Sequence, residues 1–242
     1  MILLALAGLA LAQSPGTPAR ELGSLPRYEV RRAGGRIVVD GKLDDTAWKS
    51  AGVLTLQFPW EQQTGAKQKT AARLLWDDEY LYVGYECEDT DIVAHFGKRD
   101  DPTYRDDAVE LFINPNPAQQ SLYYGLEMNA RAVLYDYLYV FPTVLIKRVD
   151  FTGVQLASHI RGTLNMRGDT DQGWSLEVAI PWANFEELAK KLPPEANAVW
   201  TANLNRWDGI EPARRLSLWS DSGWKQPNPH QPSRFGQLVF IK

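Results

Sequence analysis

The side chains of this sequence that could do chemistry are carboxylates, amides and aromatic rings, and their spacing puts several on shared faces. Alternation through 108–114 sets Val109, Leu111 and Ile113 on one side and leaves Glu110 on the other. In 123–129, Tyr124, Leu126 and Met128 likewise oppose Glu127 and Asn129, and Asn203 and Asn205 flank Leu204. A strand face turned to water is ordinarily polar, which accounts for each of these residues taken singly. Taken together they line a groove whose carboxylates and amides bond hydroxyl groups. Tyr104 and Trp224 stand in polar loops, and a ring held there offers its face to the C–H-rich face of a pyranose. The alternative folds each ring back beneath its loop. The combination points to sugar binding by aromatic stacking and polar groove contacts. A rival needs only the two glutamates, since an acid/base pair ~5–10 Å apart cleaves glycosidic bonds. No serine nucleophile elbow, His-x-x-x-His pair or Gly-rich phosphate loop accompanies them, so a non-catalytic protein is expected.

Acid is unevenly placed. Between Asp77 and Glu110 twelve Asp and Glu stand against three Lys and Arg, although the whole chain carries only −4. Such a run reads as a solvated loop or as a cation site. Hard Ca²⁺ takes roughly 6–8 oxygen ligands, and Asp89, Asp91 and Asp106 are the candidate ligands, with Asp100, Asp101 and Asp107 beside them. Cys87, the single cysteine, falls on an apolar strand face and reads as packing; one thiol cannot staple the chain.

Strands must position these groups. Period-two patterning recurs over 36–39, 54–58, 72–76, 80–87, 108–114, 123–129, 133–140, 153–160, 174–180, 199–206 and 237–241. Asp77-Asp78-Glu79 reads as the turn of a hairpin. About ten such strands imply an all-β sandwich of immunoglobulin-like or jelly-roll type. Only two stretches read as helical: a short turn through Trp48 capped by Asp44 or Asp45, and 181–192 before Pro193-Pro194. Trp76, Trp174, Trp182, Trp200 and Trp219 fall in or beside apolar strand positions and are expected in the core.

Composition bounds the rest. Of 242 residues 44% are hydrophobic and 23% charged, values that exclude a collagen-like or mainly disordered chain. The mild acidity, without a Lys/Arg run, argues against a nucleic-acid partner. Residues 1–12, MILLALAGLALA, are too short for a membrane span and read as a signal peptide. Residues 13–27 then form a flexible tether and 28–242 a single domain, a secreted or periplasmic monomer free of the membrane once the signal is removed.

The order of five strings, IVVDGKLDDTAW, ARLLWDDEYLYVGYECED, RDDAVELFINP, GWSLEVAIPW and SRFGQLVFIK, resembles a family 9 carbohydrate-binding module over about residues 36–242. The resemblance implies a sandwich related to DOMON-type domains, structural calcium, no organic cofactor, and a place beside plant-polysaccharide hydrolases in extracellular carbohydrate degradation. In that family two Trp rings clamp the terminal sugar while a Glu, an Arg and amides bond its hydroxyls. Tyr104 stands for the first ring, Glu110 matches the Glu, and Asn203 and Asn205 match the amides. The Arg position falls near Gly125, with Glu127 and Asn129 beyond it and Arg131 as its substitute. Pro229 and His230 stand where the second ring is expected, and Trp224 substitutes for it. Two other readings follow the same likeness: a haem-binding DOMON-type electron carrier using Met128, Met166, His95 or His159, and a structural adhesion module.

Overall fold

A computed structural model of the chain describes residues 22–242; the expected signal peptide over 1–12 and most of the expected tether lie outside the described residues. The strands are β1 (Arg27–Arg32), β2 (Leu54–Thr55), β3 (Thr70–Trp76), β4 (Tyr80–Cys87), β5 (Ala108–Asn114), β6 (Leu122–Asn129) and β7 (Leu134–Val140). They continue as β8 (Val144–Ile146), β9 (Gln155–Arg161), β10 (Gly173–Pro181), β11 (Val199–Asp208), β12 (Arg215–Leu218) and β13 (Gly236–Ile241). Hydrogen bonding runs β8-β7-β6-β5-β11-β13-β1-β3-β4-β10-β9, with β12 on β11 and β2 on β3. A sheet this wide curls. Its two halves close over a shared core in which Val109, Leu111, Ile113, Tyr124 and Leu126 meet Leu74, Val83, Tyr85, Leu176 and Val178. The fold is the expected β-sandwich.

The alternation read from the sequence is what sorts side chains between this core and the outer faces. Trp76, Trp174, Trp182 and Trp200 are buried, Trp182 and Trp200 meeting edge to face at 5.9 Å, and Trp219 packs partly buried against them. Cys87 is buried there too, and burial pushes its thiol up to about 12, so it stays an inert packing group. Met128 packs in this core while Met166 is exposed, which gives the haem reading no paired ligands from the two methionines.

Three local readings differ from the structure. The segment 36–39 is extended but pairs with no strand: Val38 N–H donates to Asp45 Oδ2 at 2.7 Å, and Asp40 and Gly41 N–H donate to buried Glu177 on β10 at 2.9 and 2.8 Å. Trp48 Nε1 donates to the other oxygen of Glu177 at 2.7 Å, so one buried carboxylate staples the whole DG…AW stretch to the outer face. Gly41 is required there, with φ +87 and an added Cβ 2.5 Å from the Ser158 carbonyl carbon. Asp45 stands at the N-cap of the 3₁₀ turn Thr46–Ser50, the short turn expected through Trp48, but its side chain goes to Val38 and makes no capping bond. The helix expected over 181–192 shrinks to the 3₁₀ turn Trp182–Phe185, because Trp182, Phe185 and Leu188 reach the core at a spacing of three. Finally, the tether expected up to residue 27 is docked from Leu22 on: Pro26 O accepts from Gln237 N at 2.8 Å, Gly23 O accepts from Arg234 Nη2 at 3.0 Å, and β1 follows, parallel to β13.

Candidate binding site

The outer face of β5, β6, β7 and β11 carries a cleft of about 340 Å³. Its floor follows from register. Glu110 on β5 lies opposite Glu127 on β6 and, on its other side, opposite Asn205 on β11. Asn205 Nδ2 donates to Glu110 Oε2 at 3.2 Å, and Tyr137 Oη donates to Glu127 Oε1 at 2.7 Å. Glu127 Oε2 and Asn205 Oδ1 are buried without a hydrogen-bond partner. Burial pushes the Glu110 carboxyl up to about 7; burial and then the neighbouring Glu110 charge hold Glu127 well above the ordinary range.

Tyr137 reaches Glu127 because its register partner is Gly125. A Cβ at 125 would stand 2.2 Å from the Tyr137 ring, so only glycine lets that ring lie across the strand. Gly125→Ala is therefore expected to cost about 1–3 kcal/mol in urea denaturation through overpacking. An unchanged midpoint would show that the ring moves aside freely.

The walls are aromatic. Tyr104, on the 3₁₀ turn Thr103–Arg105, packs edge-on against Tyr135 at 5.8 Å, and Thr103 Oγ1 anchors that turn to Glu127 O at 3.0 Å. Trp207, near the end of β11, carries the Arg214 guanidinium over its ring at 4.1 Å, and Arg214 Nε and Nη2 are buried without a partner. Across the cleft the His230 ring is stacked between Phe112 at 4.8 Å and Tyr139 at 5.0 Å. Burial lowers its pKa to about 4, so it is neutral above mild acidity.

Of the residues expected from the sequence, Tyr104, Glu110 and Glu127 line the cleft, and Asn205 backs Glu110. The other three do not line it. Asn129 is spent on scaffold, donating to Phe96 O at 2.9 Å and Asp106 Oδ2 at 2.8 Å. Asn203 exchanges two hydrogen bonds with the Ser220 backbone. Trp224 is half-buried and not among the lining residues, and its Nε1 donates to His230 O at 3.0 Å, which ties it to the Pro227–His230 segment of the rim. Arg131 is exposed at the β6–β7 turn, and the guanidinium of the cleft comes from Arg214. Trp207, Arg214, Tyr135, Tyr137 and Tyr139 were not singled out from sequence, and His230 was read only as standing where the second ring is expected. The three tyrosines carry a period-two signal in LYDYLYV; Arg214 sits in a loop and carries none.

The acidic run is absorbed by the chain's own donors. Asp106 accepts from His95 N, Phe96 N and Asn129, and Asp101 from Gly97 N and Lys98 N, so Asp89, Asp91 and Asp106 do not converge. Asp89 meets instead Asp107 and Asp208, all buried, with ligand atoms within 4.8 Å of one another. Arg206 Nη2 reaches Asp89 at 2.9 Å and Asp208 at 2.8 Å, and Arg215 closes on Asp208. Asp107 accepts Val93 N and Gly209 N, each at 2.6 Å, and burial with the Asp89 charge lifts it to about 8. Every carboxylate oxygen of this trio already accepts a donor and Arg206 supplies a counter-charge, while Asp100, Asp136 and Asp150 form a second acidic cluster.

Comparison with known proteins shows the family and the fold. The family model described as carbohydrate family 9 binding domain-like matches residues 39–242. Endo-1,4-beta-xylanase C of Paenibacillus barcinonensis is 29% identical over 210 residues, 86% of this chain and 17% of that protein. Exoglucanase XynX of Acetivibrio thermocellus is 28% identical over 154 residues, 64% of this chain and 12% of that protein. The chain thus spans less than a fifth of the length of these relatives. Among solved structures, a Bacteroides uniformis protein superposes with a TM-score of 0.72 at 17% identity, covering 90% of this chain and all of that one. A family 9 carbohydrate-binding module from Caldicellulosiruptor kristjanssonii, in complex with cellotriose, gives 0.59 at 19% identity, with 89% and 93% covered.

Proposed function

Because the chain belongs to the carbohydrate family 9 binding domain-like family, whose members bind and do not catalyse, we propose that the outer-face cleft is its sugar site. The observation that carries this reading is the set of buried, unpartnered polar atoms on residues that line it: Glu127 Oε2 as acceptor, Arg214 Nε and Nη2 as donors. A buried polar atom left unpaired costs about 1–3 kcal/mol, and a ligand bearing adjacent hydroxyls satisfies both kinds at once. Tyr104 and Trp207 supply ring faces beside them. The ligand is a gluco- or xylo-oligosaccharide, a choice supported by the xylanase and exoglucanase relatives and by the cellotriose complex of the structural neighbour. The protein acts outside the cytoplasm beside polysaccharide hydrolases, as a monomer. Among the described residues no helix is long and apolar enough to cross a membrane.

Isothermal titration with gluco-, xylo-, manno- and galacto-oligosaccharides tests this. One series is expected to saturate. Tyr104→Ala and Trp207→Ala are each expected to weaken that binding about tenfold, the value of ~1.4 kcal/mol of ring contact, with folding intact. Unchanged affinity in both variants would remove the two rings from the site.

A further inference from the structure

Glu110 and Glu127 are register partners on adjacent antiparallel strands, which sets their Cβ atoms about 4.5–5.5 Å apart. Both are buried, at 1% and 4% exposure, and their hydrogen-bond partners, Asn205 and Tyr137, are neutral. Two carboxylates so placed do not both ionise near neutrality, because each charge raises the cost of the other and neither is hydrated. Building on the sugar-site reading above, we propose that the cleft takes its ligand with one proton held between Glu110 and Glu127, and that affinity is lost when this proton leaves.

The chemistry of the ligand is the reason. A sugar hydroxyl both donates and accepts. The singly protonated pair offers an O–H donor next to carboxylate acceptors, and Glu127 Oε2 is the oxygen left open to meet it. The doubly ionised pair offers acceptors alone, and a sugar that expels water from the cleft also removes the solvation a second charge needs. Binding and proton retention therefore strengthen each other.

The surroundings leave the pair as the titrating element of the cleft. From β7, Tyr137 faces Glu127 with its phenol held above the ordinary value, and Tyr123 on β6 is raised as well. His230, on the rim, is neutral above about pH 5. Arg214 from the β11–β12 loop and Lys147 beyond β8 act on the pair as fixed positive charges, lowering Glu127, and Arg214 also lowers Glu110. Glu211 and Asp107 reach the pair through their effect on Arg214. Asp107 titrates in a similar range, so the contribution of the pair must be separated from it.

Titration calorimetry with cellotriose as the probe, or with the sugar that the oligosaccharide panel selects in its place, provides that separation between pH 5.5 and 9. The association constant is expected to fall towards about tenfold per pH unit above the upper transition of the pair. Binding there is expected to take up close to one proton, read from buffers of different ionisation heat. Glu127→Gln fixes a neutral donor opposite Glu110 and is expected to flatten the profile. An association constant that stays level in the unsubstituted protein, or a fall that persists unchanged in Glu127→Gln, overturns the inference while leaving sugar binding in place. Binding of no sugar at any pH removes the sugar-site reading and this inference with it. Should Glu127→Gln not fold, carboxyl ¹³C shifts of the unsubstituted protein decide: ligand must raise the upper transition of the pair, and an unmoved transition refutes the proton link.

Discussion

Arg206→Leu is expected to cost the domain about 3–5 kcal/mol, the range for removing one partner of a buried ion pair. The Arg206 guanidinium is fully buried and binds Asp89 Oδ2, Asp208 Oδ1, Glu88 O and Thr70 Oγ1, so it ties the end of β11 to β3 and to the acidic loop after β4. Without it, Asp89, Asp107 and Asp208 share a dry space in which, among the described residues, Arg215 at the edge is the one cation in contact. Lysine should recover only part of the loss, because one ammonium cannot match the several contacts of the planar fork. Acid should recover more, since protonated aspartates no longer repel. Urea denaturation of Arg206→Leu and Arg206→Lys at pH 5 and 7, each with and without a chelator, measures this. The chelator is expected to change nothing. A loss under about 1 kcal/mol in Arg206→Leu would show that water or an ion takes over the charge of Arg206.

The same network shows why the acidic run was legible as a feature and opaque in meaning. Charge counting finds the excess between Asp77 and Glu110, but the relief comes from groups that counting does not register. Backbone N–H groups of His95, Phe96, Val93 and Gly209 take Asp106 and Asp107, and Arg206 arrives from more than a hundred residues away. Much of what made the sequence resemble a family has the same character. Asp40, Gly41 and Trp48 serve Glu177, and Asp77 closes the β3–β4 turn by accepting from Glu79 N and Tyr80 N at 2.8 Å. Strings of this kind report the scaffold, which is why the fold followed from them more securely than the site.

Alternation carried the sandwich because one buried face fixes register along each strand. It did not find β1, whose exposed Arg27, Glu29 and Arg31 hide Tyr28 and Val30 between them, nor the short β8 and β12. Within the site, Glu110, Glu127 and Asn205 were readable because they lie on strands whose faces are set by period two. Asn129 and Asn203 share that period yet turn to backbone partners, a choice made by the loops that cross above them. Trp224 and Arg214 both come from loops, whose geometry the period does not set: the Trp224 indole N–H is bonded to His230 O, while the guanidinium of Arg214, unannounced in the sequence, lines the cleft.

Stability is expected to peak on the acid side of neutrality and to fall as pH rises from about 4 to about 8. Glu110 is raised to about 7 and Asp107 to about 8, with Glu127 raised further by the Glu110 charge. The native state holds these protons more tightly than the unfolded chain, whose carboxyls titrate near 4. Their contribution is therefore complete below about pH 4 and is withdrawn as pH climbs through the folded values, at about 1.4 kcal/mol for each tenfold difference in proton affinity between the two states. His230 works in the opposite direction. Its pKa falls to about 4, so the native state resists a proton that the unfolded chain accepts near 6.5, and stability is lost as pH drops between those values. Three raised carboxyls outweigh one lowered histidine between pH 4 and 6.5, so stability from these groups falls across that interval and its maximum lies near pH 4. Exposed Asp40 and Glu195, lowered by their lysine partners, change this little because solvent screens them. Urea midpoints from pH 4 to 9 test the shape. Asp107→Asn and Glu110→Gln should flatten this fall, and His230→Gln should steepen it between about pH 4 and 6.5. A stability that climbs steadily from pH 5.5 to 8.5 would mean that these carboxyls are ionised and solvated in the native state. The proton shared between Glu110 and Glu127 would then have no dry site to hold it.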